Sequence, residues 1–121
     1  MAESTVKVLH FDDDAILVEI VRETLTRCGF EVKSTADPKE VLRAAVEGFD
    51  LFLIDLAQPG ERGMELCRDL RRAGWRGPIV ALSSRSLTTA ERRVLDELGA
   101  GLMVKPFGPR EIIHRTRQAV V

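Results

Sequence analysis

Val6-Lys7-Val8-Leu9-His10-Phe11-Asp12-Asp13-Asp14 is an apolar run that breaks off into acids. The pattern returns along the chain. Leu51-Phe52-Leu53-Ile54 ends in Asp55, Ile79-Val80-Ala81-Leu82 ends in Ser83, and Leu102-Met103-Val104 ends in Lys105 before Pro106. Short apolar runs separated by helical stretches read as buried parallel strands. In such sheets ligands bind outside the carboxyl ends of the strands. Three carboxylates, one hydroxyl and one ammonium are therefore expected in one crevice. That set can hold a divalent cation and a phosphoryl group.

The stretches between the runs have helical character. After the first strand, Val6–Phe11, the apolar residues Ile16, Leu17, Ile20, Val21 and Leu25 recur at helical spacing from Ala15 to Arg27. Gly29 is placed to stop that helix, and Phe30–Ser34 reads as a second strand. Asp37-Pro38-Lys39-Glu40 is a helix start, with a capping side chain and Pro in the first turn. Val41, Leu42, Ala45 and Val46 are expected to form its buried stripe, with Gly48 at its end. The third strand, Leu51–Asp55, is apolar on both faces and so central. Gln58-Pro59-Gly60-Glu61-Arg62-Gly63 reads as a loop before a helix over Met64–Ala73. A fourth strand, Ile79–Ser83, precedes a helix capped by Thr88, with Glu91 at the reciprocal position, that runs to Leu98. Leu102–Val104 is a short fifth strand, and Gly108-Pro109 opens a last helix. Five βα units in alternation imply an α/β fold, a parallel sheet with helices on both faces. No sequence remains for a second domain, so residues 1–121 are expected to be a single unit.

Composition excludes several function classes. The chain has 121 residues, 45% hydrophobic and 31% charged, with a formal net charge of -1. That charge gives no bulk attraction to nucleic acid. The basic clusters Arg68, Arg71, Arg72, Arg76 and Arg110, Arg115, Arg117 read as solvated helix faces. Cys28 and Cys67 lack metal-ligand spacing and read as buried free thiols. No run reaches the roughly 20 apolar residues of a membrane span, and Met1–Thr5 has no signal-peptide character. A cytoplasmic protein is expected.

Among the strand-end residues, Asp14 is the best cap for the first helix. Asp12 and Asp13 then lie at the strand tip beside Asp55. Like charges that close are unfavourable without a cation, and a hard cation with oxygen ligands removes the conflict. Asp55 can act as a nucleophile that forms an aspartyl phosphate. Lys105 would pair with Asp55 and then with phosphoryl oxygens, to which Ser83 could donate its hydroxyl. His10, inside the first strand and expected to pack against a helix, and His114, in the last helix, are poor catalytic candidates. No P-loop glycine motif is present.

These residues resemble the receiver domain of two-component response regulators, across essentially the whole chain. The resemblance rests on Phe11-Asp12-Asp13-Asp14, on Leu53-Ile54-Asp55 followed by Pro59 and Gly63, on Ser83-Ser84, and on Lys105-Pro106-Phe107. It implies a flavodoxin-like, doubly wound fold with a five-stranded parallel sheet in order 2-1-3-4-5 and five helices. It implies a single receiver domain over 1–121 with no output domain, a phosphoacceptor and not an enzyme in the usual sense. Asp55 would take a phosphoryl group from a histidine kinase or histidine phosphotransfer protein. Mg²⁺ would be held directly by Asp13 and Asp55 and by the backbone carbonyl of Ala57, with Asp12 acting mainly through water. Ser83 and Lys105 would contact phosphoryl oxygens. Output would pass to a downstream protein at the face carrying Leu102 and helix five, with no direct contact to nucleic acid or membrane.

The chain also departs from the family pattern. Gln58 stands where Met is usual, Gly99-Ala100-Gly101 is one residue shorter than usual, and Ser83 replaces the commoner Thr. Leu102 occupies a position that is usually aromatic, and the chain has no Tyr. Leu102 keeps open an alternative, a phosphorylation-independent interaction module on the same fold. An Asp-nucleophile phosphatase would need a second Asp at the position of Ala57. A flavodoxin would need aromatic residues to stack on a flavin.

Overall fold

The computed structural model describes residues 5–57 and 62–121. Gln58, Pro59, Gly60 and Glu61, read above as part of a loop, lie outside the described residues. The five strands are β1 (Lys7–Phe11), β2 (Glu31–Thr35), β3 (Leu51–Asp55), β4 (Ile79–Ser83) and β5 (Gly101–Val104). They alternate with α1 (Ala15–Arg27), α2 (Pro38–Ala44), α3 (Arg62–Arg72), α4 (Thr89–Leu98) and α5 (Pro109–Ala119). The strands form one parallel sheet in the order β2-β1-β3-β4-β5. This is the doubly wound arrangement expected from the sequence.

Alternation along each strand divides the core into layers. Leu9, Phe11, Phe52 and Ile54 pack with Val41, Ala44, Leu66 and Leu70 beneath α2 and α3. Val8, Leu51, Leu53 and Leu82 pack with Val21, Leu25 and Ile112 beneath α1 and α5. A smaller group, Met64, Ala81, Leu87 and Leu95, seats α4. Every residue of β3 and β4 is buried, whereas Glu31 and Lys33 of the edge strand β2 are exposed. Each fully buried Leu, Ile or Phe stabilises the fold by about 1.5–3 kcal/mol. The sheet is thus held chiefly at its centre, where the strand-end residues of β1, β3 and β4 are carried.

The helix boundaries follow from caps. Asp14 accepts the N–H groups of Ile16 and Leu17 at 3.0 and 3.2 Å. Asp37 accepts that of Lys39 at 2.9 Å. Thr88 and Glu91 form the reciprocal capping box at α4. Gly29, at φ 91°, ends α1, and Phe30 then donates its N–H to Leu25 O. That bond makes Phe30 part of the helix exit and moves β2 one residue later than expected.

The expected apolar stripe of the second helix is corrected. Helix α2 stops at Ala44; Leu42 and Ala45 still pack, half-buried, against the core, and Val46 is the member of the stripe that leaves it. Val41 and Ala44 are the buried pair, and Val46 is 81% exposed. Cys67 is buried, with its thiol pushed up to about 12 by burial, while Cys28 is only half-buried. Arg71 is no solvated side chain. Its guanidinium donates to Leu98 O at 2.8 Å, Trp75 O at 2.8 Å and Gly77 O at 2.7 Å, tying α3 to the end of α4. No helix among the described residues is long and apolar enough to cross a membrane.

Candidate functional site

Three strand tips meet at the carboxyl edge of the sheet. Asp12 follows β1, Asp55 ends the neighbouring β3, and Ser83 ends β4 beside it. Asp12, Asp55 and Ser83 are all 2% exposed or less, whereas Asp13 is exposed at the rim. Oxygens of Asp12, Asp13 and Asp55 lie within 4.8 Å of one another. Lys105, just past β5, reaches into the cluster. Its Nζ lies 3.2 Å from Asp55 Oδ1 and 3.6 Å from Asp12 Oδ2. The sheet order explains this reach, because β5 flanks β4 and the Lys105 N–H donates to Ser83 O at 2.7 Å, which holds Lys105 at the same edge.

Each carboxylate is held differently. Asp12 Oδ1 accepts the N–H of Asp14 at 2.9 Å, and Oδ2 lies 3.2 Å from Nε2 of His10. Burial pushes the Asp12 carboxyl up, but the bonds from His10 and Asp14 and the charges nearby hold it below its ordinary value. Asp55 Oδ1 accepts the N–H of Ala57 at 3.1 Å. Burial, together with the Asp12 charge, raises the Asp55 carboxyl in spite of Ala57 and Lys105. The two shifts oppose one another because Asp12 has the donors that favour its charged form, while Asp55 lies beside the charge of Asp12.

Gly63 is part of this geometry. A Cβ built there would lie 2.3 Å from Asp55 O and 3.0 Å from the Cα of Leu56. Only glycine lets the start of α3 pack this closely on the strand end that carries Asp55. Ser83 is at the site, and its hydroxyl is bonded within its own loop. Oγ donates to Arg85 O at 2.6 Å and accepts Arg85 N–H at 3.2 Å.

The structure therefore brings Asp12, Asp13, Asp55 and Lys105 together and puts Ser83 at the adjacent tip. The sequence reading missed His10, which it set aside as a packed strand residue. Its spacing held a signal, since residues i and i+2 of a strand share a face and His10 precedes Asp12 by two. The donor set fits Mg²⁺. Among the described residues the three carboxylates supply hard oxygen ligands in excess of the Lys105 ammonium beside them, and Asp13 keeps an open side toward water.

The chain matches the family described as response regulator receiver domain over residues 8–117. It is 33% identical to the uncharacterized transcriptional regulatory protein YrkP of Bacillus subtilis, over 90% of this chain and 47% of that protein. It is 34% identical to the alkaline phosphatase synthesis transcriptional regulatory protein SphR of Synechococcus elongatus, over 92% of this chain and 47% of that protein. The chain thus spans about half the length of the curated relatives it matches. Among solved structures it is similar to the chemotaxis protein CheY4 of Vibrio cholerae, at 31% identity and a TM-score of 0.82, covering 98% of this chain and 100% of that one. It is also similar to the BeF3-activated N-terminal receiver domain of Klebsiella pneumoniae RstA, at 31% identity and a TM-score of 0.81, covering 94% and 97%. With the matched region spanning all but the ends of the chain, this protein belongs to the response regulator receiver domain family.

Proposed function

We propose that this receiver domain accepts a phosphoryl group on Asp55 and signals through a changed protein-binding surface. The observation that carries the reading is the Lys105 ammonium 3.2 Å from Asp55 Oδ1, inside a cluster of three carboxylates. An Asp55 oxygen attacks phosphorus, and the phosphorus–nitrogen bond of a donor phosphohistidine breaks, leaving its electron pair on the imidazole. Phosphoryl transfer of this kind depends mostly on positioning and charge stabilisation. Lys105 stands ready to pair with a phosphoryl oxygen once Asp55 is consumed as its partner. Ser83 offers a hydroxyl from the next strand tip.

Asp13, Asp55, the Ala57 carbonyl and, more remotely, Asp12 are the proposed holders of Mg²⁺. When bound, that ion neutralises charge on the phosphoryl oxygens. Ala57 is kept beside Asp55 by its own N–H, which supports its place in the set. The donor is a histidine kinase or histidine phosphotransfer protein. The downstream partner is a protein that docks on the face of α4, β5 and α5 near Leu102. This reading makes the protein cytoplasmic and assigns it no turnover of a separate substrate.

The test is incubation with Mg²⁺ and a small acyl phosphate, followed by intact-mass measurement. One phosphoryl addition is expected, absent in Asp55→Asn. An unmodified wild-type protein, or a modification that maps elsewhere, overturns the reading.

A further inference from the structure

His10 is fully buried on β1, on the same side of the sheet as Val8 and in the layer beneath α1 and α5. Its neighbours along the strand, Val8, Leu9 and Phe11, are all apolar. One ring nitrogen, Nε2, lies 3.2 Å from Asp12 Oδ2, and both side chains are sealed from solvent. Among the described residues the other, Nδ1, has no hydrogen-bond partner, and neither has the buried hydroxyl of Ser34, the residue in register with His10 on β2. Buried polar atoms are rarely left unpaired, and an aliphatic side chain would fill this slot without an orphan.

We infer that His10 is a positioning residue for the phosphoacceptor site. Carboxylate oxygens only accept, so the Nε2–H donates to Asp12 Oδ2. With Asp14 N–H on Oδ1 at 2.9 Å, the bond fixes both oxygens of Asp12 before any cation arrives. It also leaves lone pairs on each oxygen for the cation or its waters. The arrangement places behind Asp12, which reaches the cation mainly through its waters, the kind of outer partner that orients metal sites and whose loss weakens affinity about tenfold or more. The inference rests on the reading of Asp12 as part of the Mg²⁺ site.

Calorimetric titration with Mg²⁺ alone, paired with thermal melting in chelator, tests it. His10→Leu is expected to melt near the wild-type temperature and to lose about tenfold in Mg²⁺ affinity. His10→Gln, whose amide nitrogen reaches as far as Nε2, is expected to recover most of that loss, and His10→Asn, which falls short, is not. In an Asp12→Asn background His10→Leu should change Mg²⁺ affinity no further. Wild-type affinity in His10→Leu overturns the inference, as does equal affinity in the Gln and Asn variants, which can be compared even if the Leu variant fails to fold. Wild-type protein that binds no Mg²⁺ at millimolar concentration overturns the metal reading itself and this inference with it.

Discussion

Ser83 Oγ donates to the carbonyl of Arg85 at 2.6 Å, so the hydroxyl at the end of β4, beside β3, is committed to the β4–α4 loop. The connection continues from there. The Arg85 guanidinium meets both Glu91 oxygens at 3.0 and 2.7 Å, and Glu91 also accepts the N–H of the cap residue Thr88 at 2.9 Å. A phosphoryl group that draws Ser83 toward Asp55 must release the Arg85 carbonyl and disturb this chain at the start of α4. Ser83→Ala is expected to cost about 1–2 kcal/mol of stability for the lost hydroxyl bonds. Asp55 should still be phosphorylated. Amide shifts of Arg85, Thr88 and Glu91 on phosphorylation, read by NMR, should shrink in the variant. Shifts as large as wild type would show that the loop responds by another route.

The raised Asp55 carboxyl makes a signed prediction. Burial is the first cause and the Asp12 charge adds to it. A carboxyl with a folded pKa above its unfolded value costs stability once it ionises. The cost is absent below the ordinary value of 3.8, grows as pH rises toward the folded value, and is full above it. Asp55→Asn removes the charge yet keeps an oxygen for the Ala57 N–H. In chelator at neutral pH it should raise the melting midpoint by a few degrees, and the gain should fade as pH approaches 3.8. A variant less stable than wild type at neutral pH would show that the Lys105 pair outweighs burial and repulsion. Functional sites commonly hold such destabilising groups.

Gly63 should tolerate no side chain. The clash at 2.3 Å is with the backbone oxygen of Asp55, which cannot swing aside as a side chain could. Gly63→Ala is expected to destabilise by about 1–3 kcal/mol through overpacking. It should also slow phosphorylation by a small acyl phosphate, because the strand end must move to make room. Wild-type stability and rate together would contradict the close approach.

Much of this was legible in the sequence, and the misses have physical causes. The strands β3 and β4 could be read because each is buried on both faces and ends abruptly in one polar residue. The acids and Lys105 could be assigned to one crevice because parallel topology sends every strand end to the same edge. The path of α2 could not be read, since Val46 continues an apolar pattern that the backbone abandons after Ala44. Arg71 could not be separated from Arg68 and Arg72 by charge. What distinguishes it is three backbone carbonyls supplied by segments up to 27 residues away. The turn of Ser83 toward Arg85 is a rotamer choice that no sequence period encodes.

The mouth of the site carries an apolar wall that bears on the donor. Ile16 and Ile20 of α1 are 75% and 41% exposed beside Lys105, Pro106 and Phe107. Asp55 is 1% exposed, so on the proposed reading a donor protein covers this rim as it brings a phosphohistidine within reach. Ile16→Asp is expected to leave phosphorylation by a small acyl phosphate unchanged and to slow transfer from a phosphohistidine protein at least tenfold. An equal loss with both donors would mean that the substitution damages the site, and no loss with either would remove this wall from the donor interface.

The last prediction concerns output. Leu102 is half-buried and packs beside Leu95 and Ala81, and its carbonyl accepts Arg115 Nη2 at 2.6 Å. Arg115 therefore braces the edge strand β5 from α5, while Arg110 and Arg117 remain exposed on the same helix. A leucine has no ring to swing between a buried and an exposed slot, and it makes no phenolic hydrogen bond. Phosphorylation should then change this face less than an aromatic residue would, chiefly through α4 and the Arg115 brace. A partner can respond only as far as its affinities for the two states differ. Amide exchange with and without phosphorylation should show modest changes in α4, β5 and the start of α5. Arg115→Ala should raise exchange at β5 in both states and flatten the difference between them. Large changes confined to α1 and α2, with the α4–β5–α5 face silent, would place the output surface on the other side of the molecule.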